Sequence, residues 1–533
     1  MERKTGSFVK GAAILAAAGL IVKAIGAVYR IPLATIVGLE GMSFYEVAYP
    51  YYSGLLVISS AGLPTAISKL VAERVTLGDH RGAREVFVTA MKMLTIIGVA
   101  TMLIMFLAAD LLAPNLMPES ALSIRALAPA LLFASIMCAY RGYLQGLQLM
   151  TGTAVSQVVE QLGKLGVGFY LAAKLMPKGP EYAAMGALIG VSVSELLALV
   201  VMMFFYARRR RELAPLWNQG RGLPGGFFPI SKRLLATAIP VTLGALIMPL
   251  TGVIDSNMIV SILVNDLGFN LDIAKDAFSI LRSHVTPIIN MPAVITTALA
   301  MSLVPAISVR VTAKNRRGVR EASLTGLKLA LIVGAPCAAG LFVLGGPVID
   351  LLFTKLNQEQ VQLAGDIMRT ASIGILFLSL VQTMTGIIQG MGRPMVSVVN
   401  LVFGGVLKVV TMLILMRIPN INIQGASIST VVCYAAAGIL DTIYVIRRTG
   451  MKIHIGDVFI KPLFSSVVMG VAASLVYNLL HNAGHNAFAT LAGVGAGAVI
   501  YIAFVFIFKM LSPEELAYIP GGKRLTRLMY RRK

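Results

Sequence analysis

Lys23 and Arg30 stand seven residues apart in GAAILAAAGLIVKAIGAVYRIPLATIV (11–37), a stretch otherwise free of charge. Seven residues are about two helical turns, so both cations fall on nearly one face. Gly26 lies between them and keeps the backbone close to whatever that face meets. A cation at the centre of a membrane-spanning helix costs roughly 2.5–3.5 kcal/mol on insertion scales. Two on one stripe point to a hydrated chamber and an anionic ligand, although two internal salt bridges would satisfy them as well. Arginine's planar fork matches phosphate oxygens in pairs, and lysine supplies a movable point charge. A pyrophosphate group fits such a set.

Three more cations fall at membrane depth and join the candidate phosphate-binding set: Arg282 in SILRSHVTP, and Lys164 and Lys408 near the middle of their segments. Two acids are candidates for binding a coupling cation or for balancing charge. Asp255, in TGVIDSNMIV, could neutralise Arg30 or Arg282. Glu160 precedes Lys164 by one turn, the favourable order for an i,i+4 pair. Arg141 and Asp441 fall near segment ends, from which a side chain can reach the interface. Cys138, Cys337 and Cys433 each lie in an apolar stretch without metal-ligand spacing, and the five histidines are scattered. No metal site, no catalytic residue and no cofactor is expected, so the chain reads as a transporter rather than an enzyme. Membrane potential, Na+ or H+ could drive it.

The elements that carry these residues must be membrane helices. Of 533 residues, 57% are hydrophobic and 13% charged, far fewer charges than a soluble domain carries. Lipid leaves helices as the default spanning structure. The reading is an all-α polytopic membrane protein with about fourteen transmembrane helices. The formal charge of +22 sits in alternate loops rather than on a nucleic-acid face. RRRR (208–211), RVTAKNRRGVR (310–320) and the tail KRLTRLMYRRK (523–533) are the heaviest stretches; GLEGMS (38–43) and DLLAPNLMPES (110–120) are almost free of cations. This pattern places both termini in the cytoplasm of a cell-membrane protein and lays the basic loops against anionic lipids.

Two internal matches divide the chain. GLPTAISKLVAERVTLGDHRGARE (62–85) resembles SLVPAISVRVTAKNRRGVRE (302–321), and GYLQG (142–146) resembles GIIQG (386–390), continuing without a gap to Lys164 against Lys408. Glu160 then corresponds to Gly404, so Lys408 lacks the matching acid. The expected organisation is an N-terminal bundle of helices 1–6 (1–210), a basic cytoplasmic linker (211–233), a C-terminal bundle of helices 7–12 (234–450), and helices 13–14 with a basic tail (451–533). Six-helix halves related in parallel enclose a cavity at their shared interface.

GAVYRIPLATIVGLEG (26–41), AGLPTAISKLVAE (61–73), SLVPAIS (302–308) and GIIQGMGRP (386–394) resemble the stage V sporulation protein B and MurJ-like polysaccharide-transporter branch of the multidrug/oligosaccharidyl-lipid/polysaccharide exporter superfamily. The resemblance implies a MATE/MurJ-like fold and a flippase for a polyprenyl-pyrophosphate-linked saccharide, such as a lipid II-type peptidoglycan precursor. By position, Lys23 and Arg30 match the paired helix-1 cations of those flippases, and Arg282 approximates a helix-8 arginine. The pattern departs at Lys23, where the family has arginine, and at Ile31, where an acid often follows. Helix 2 has only Glu46 and Lys69, near its ends. The rival readings are an ion-coupled multidrug exporter of the same superfamily and a flippase for another surface polysaccharide. Cell-wall synthesis proteins are conceivable partners.

Overall fold

A computed structural model of the chain describes residues 2–218, 220, 226–482 and 486–511. The centre of the linker and the basic tail from 512 onward lie outside the described residues, as does the side chain of Lys23. Every regular element among the described residues is helical. Twelve helices among them are long and apolar enough to cross a membrane. Their outward faces carry Leu107, Phe204, Val499 and Ile507, each more than half exposed, as lipid contact requires. The protein is a multi-pass membrane protein.

Two places account for the difference from fourteen. α1 (Glu2–Ser60) runs through the first two expected segments, and its one non-helical residue is Gly38 (φ 75, ψ 174). Fifty-nine residues of straight helix would be about 88 Å long, far beyond a bilayer, so Gly38 divides two passes. The fifth segment is α6 (Met150–Gly163), a π turn at Lys164–Gly168, and α7 (Phe169–Leu175). Glu160, Lys164 and Lys174 make it too polar to count as an ordinary span.

Contacts group the chain into two units, Met1–Ser279 and Ile280–Lys533. The first also holds α2 (Leu63–Thr76), α3 (His80–Leu107), α4 (Ala109–Leu112), α5 (Ser120–Gly146), α8 (Pro180–Leu213), α9 (Phe227–Ser261) and α10 (Leu271–Ser279). Its apolar core gathers Leu63, Ile67, Phe87, Leu94, Tyr143 and Leu234. α9, which opens the second sequence repeat, packs here: a Cβ on Gly62 would lie 2.3 Å from the carbonyl oxygen of Ala238, and Asn257 donates to the Tyr51 hydroxyl at 2.7 Å. The bundle boundaries at 211–233 and 450 rest on repeats and composition, a different criterion from contact.

The second unit opens with a π turn at Ile280–Val285 and holds α11 (Thr286–Thr312), α12 (Arg316–Leu352), α13 (Gln358–Gly390), α14 (Pro394–Leu415), α15 (Gln424–Thr449), α16 (Lys461–His481) and α17 (Asn486–Ile507). Its core gathers Leu303, Ile307, Leu327, Met384 and Ile387.

The repeat is visible in backbone detail within each unit. Asp79 caps α3 by accepting from Gly82 N at 3.0 Å, and Asn315 caps α12 by accepting from Gly318 N at 2.8 Å. The residues just before them, Gly78 and Lys314, are both left-handed (φ 73 and 54). Ser135 donates to Leu131 O at 2.6 Å and has Gly98 against it; Ser379 donates to Ile375 O at 2.8 Å and has Gly334 against it. Gly142 and Gly146 let α5 approach α2, as Gly386 and Gly390 let α13 approach α11. The chain is built from two halves of the same design, with α16 and α17 added.

Candidate functional site

Arg30 and Glu46 are sixteen residues apart on α1, about 24 Å in an unbroken helix. The break at Gly38 reverses that separation, and the guanidinium donates to the Glu46 carboxylate. The Arg30 guanidinium carbon also lies 5.8 Å from the Tyr45 ring and 5.5 Å from the Tyr49 ring, within cation–π range. Glu46 is 2% exposed at its side chain, whereas Arg30 keeps 21%.

From Tyr49 the contacts continue. Its ring lies 5.8 Å from that of Tyr52, whose hydroxyl donates to Glu195 Oε1 at 3.2 Å. Lys164 Nζ lies 3.8 Å from the same oxygen and donates to Glu160 Oε1 at 2.8 Å. Arg141 Nη2 reaches Glu160 Oε2 at 3.3 Å and Ser156 Oγ at 3.0 Å. Small residues make this possible. A Cβ on Gly190 would meet Gly168 Cα at 2.3 Å, and one on Gly163 would meet Ser194 Cβ at 2.8 Å. That close approach of α8 to α6 and its π turn sets Lys164 against Glu195.

The spine therefore holds three cations, Arg30, Lys164 and Arg141, and three carboxylates, Glu46, Glu160 and Glu195. Among the described residues these charges balance. Such pairs roughly offset their own desolvation, while removing one partner is expensive. An incoming anion must displace a carboxylate from a cation, and Arg30 is the member whose side chain is most exposed. Glu46 is the partner that sequence reasoning did not suggest; it lies across the helix break, and no local spacing reveals it. Arg141, expected to reach outward from a helix end, turns inward to Glu160.

The remaining candidates are dispersed. Asp255 is buried on α9 in the first unit. Arg282 is half-buried in the π turn that opens the second unit, and Lys408 is buried on α14. Asp441, also expected at an interface, is instead buried on α15 and accepts from Asn400 Nδ2 at 2.7 Å and Thr385 Oγ1 at 3.3 Å. Along the repeat, Thr385, Asn400 and Lys408 stand where the first half has Arg141, Ser156 and Lys164. In the second half Asp441 of α15 gathers Thr385 and Asn400, while position 404, which corresponds to Glu160, is glycine. Among the described residues no group of three or more His, Cys, Asp or Glu side chains could hold a metal ion.

Residues 8–310, more than half of the sequence, match the polysaccharide biosynthesis protein family. The chain belongs to that family. Residues 240–414 also match the MatE family. The family member is 28% identical to an uncharacterized membrane protein, YabM, of Bacillus subtilis over 98% of this chain and 97% of that one. It is 24% identical to stage V sporulation protein B of the same organism (97% and 99% covered) and 27% identical to its lipid II flippase MurJ (89% and 89%). Among solved structures, lipid II flippase MurJ in an inward closed conformation aligns with a TM-score of 0.68 and 14% identity, covering 93% of this chain and 98% of that one. A multidrug resistance MATE family transporter of the MOP superfamily, inward-facing, aligns with a TM-score of 0.64 and 18% identity, covering 81% and 98%. The fold of this family member is that of MurJ and MATE transporters.

Proposed function

We propose that this protein is a flippase that carries a polyprenyl-pyrophosphate-linked saccharide, a lipid II-type peptidoglycan precursor, from the inner to the outer leaflet of the cell membrane by alternating access. The observation that carries the proposal is Arg30: a guanidinium at membrane depth, one-fifth exposed, that meets the Glu46 carboxylate and two tyrosine rings. A pyrophosphate offers more charge and a better bidentate fit than Glu46 and would exchange with it. Lys23, two turns earlier, would be the second contact, with Lys164, Arg282 and Lys408 as further candidates. The similarity to a lipid II flippase along 89% of both chains supports the substrate class. With both termini cytoplasmic, a dianionic head group moving outward gains about 5 kcal/mol per 100 mV, at about 2.3 per charge. Membrane potential would then suffice as the driving force, with no cofactor.

A second reading, an ion-coupled exporter, draws on the MatE match over 240–414 and on the buried carboxylate of Asp441, which lies beyond that match but accepts from Asn400 within it. Asp255 or Glu160 would be alternative ion sites. Reconstitution with labelled lipid II separates the readings. Head-group exposure in the outer leaflet should fall at least about tenfold in K23A and R30A, the worth of one charge-assisted hydrogen bond. Wild-type rates in both variants would remove these residues from the cargo path, and dye efflux dependent on Na+ or H+ would favour the exporter.

A further inference from the structure

The second unit contains a cavity of about 690 Å³ that the transport reading does not use. Arg310, Lys314, Arg316 and Arg320 line it from the α11–α12 turn, Arg393 from the α13–α14 turn, and Arg447 and Arg448 from the end of α15. Among the described residues that line it there is no Asp or Glu. Glu321 pairs with Arg317 at 2.8 Å, and neither lines the cavity.

A basic loop on the cytoplasmic side is ordinary for a membrane protein, so the decisive comparison is the same turn in the first half. RVTLGDHRGARE (74–85) and RVTAKNRRGVRE (310–321) align without a gap. In the first half Asp79 takes Arg74 Nη1 at 3.4 Å while capping α3. Arg84 lies with its guanidinium carbon 4.5 Å from the Trp217 ring, and Trp217 donates to the Tyr143 hydroxyl at 3.4 Å. A Cβ on Gly220 would touch Asp79 Oδ1. The linker has filled that site and an acid has neutralised it.

In the second half each of these devices is replaced. Asn315 keeps the cap but carries no charge. Gly78 becomes Lys314, which holds a left-handed backbone (φ 54) that glycine adopts freely. His80 becomes Arg316, and among the described residues no segment comparable to Trp217 lines the cavity. Arg316 also stands in the first turn of α12, which contains no acid. Cations there sit at the positive end of the helix dipole, and the backbone amides add to their field. Arg320 closes one wall, donating from Nε to Thr449 O at 3.4 Å.

We infer that this cavity is a binding site for a phosphate-bearing anion, supplied either by a soluble pyrophosphate or nucleotide or by the head group of an anionic lipid. Arg30 does not line this cavity, whose ligand chemistry is the same whether or not the protein moves lipid-linked sugars.

The test uses the full chain in phosphatidylcholine nanodiscs, titrated calorimetrically with sodium pyrophosphate and with UDP. A second arm measures retention of phosphatidylglycerol or cardiolipin by native mass spectrometry. Two variants are compared, R316Q/R320Q/R448Q and N315D. The latter installs the first half's acid, and Asp caps a helix as well as Asn, so the fold is kept. Free phosphate binding that falls at least about tenfold in both variants assigns a soluble ligand. No free binding, with lipid retention lost in both variants, assigns a head group. Equal binding by wild type and variants, or no retention of any of the four probes, overturns the site. Because N315D leaves Arg30 untouched, failure of lipid II translocation would not mimic either result.

Discussion

Replacing Lys164 by methionine tests whether the spine of the first unit is a self-balanced structure. Its ammonium lies 2.8 Å from Glu160 and 3.8 Å from Glu195, and the three side chains are 12%, 14% and 4% exposed. Unit charges about 4 Å apart interact by about 4 kcal/mol at an effective dielectric of 20. Removing one partner of a buried pair costs about 3–5 kcal/mol. Arg141 continues to serve Glu160, so most of the loss falls on Glu195. The expected destabilisation is about 3–4 kcal/mol, a fall in melting temperature of roughly 6–8 °C at about 2 °C per kcal/mol. Circular dichroism of the purified protein in detergent reads it. E195Q removes the stranded charge and keeps an acceptor for Tyr52, so K164M/E195Q should recover about 2 kcal/mol. A K164M variant that melts with the wild type, or an E195Q change that deepens the loss, would refute the reasoning. If the double variant is stable and still translocates lipid II, Lys164 is a counter-charge; if it is stable and inactive, Lys164 touches cargo.

Gly190→Ala places a methyl 2.3 Å from Gly168 Cα, so α8 must move away; a loss of about 1–3 kcal/mol in thermal melting is expected, and a neutral result would mean the helices are not in that contact. Asp441→Asn keeps a hydrogen-bonding oxygen for Asn400 and should cost under about 1 kcal/mol, whereas Asp441→Ala leaves the half-buried donors Asn400 and Thr385 without their acceptor and should cost about 1–3 kcal/mol. Equal melting of the two would show that the cluster is not held by those bonds.

Much of the architecture was legible because membrane insertion writes it in composition. Long apolar runs mark the spans, and the two repeats mark the halves down to their helix caps at Asp79 and Asn315. The i,i+4 relation of Glu160 and Lys164 was readable because it is local. The partner of Arg30 was not, because Gly38 folds one helix back across sixteen residues and only the three-dimensional path brings Glu46 near. The places of Arg141 and Asp441 near helix ends suggest side chains that can reach outward. Each instead found a polar partner on a neighbouring helix, and sequence position alone does not reveal which way a side chain turns.

The π turn at Lys164–Gly168 begins where the constant 244-residue offset between the halves stops being traceable, and α14 passes its counterpart, Lys408, as ordinary α-helix. A π turn accommodates one surplus residue, and one residue is about 100° of helical rotation. Up to that lysine the twin helices present equivalent faces; past it they are out of phase, so Phe169 stacks on Tyr29 with no counterpart required in the other copy. Like stems thereby carry unlike ends.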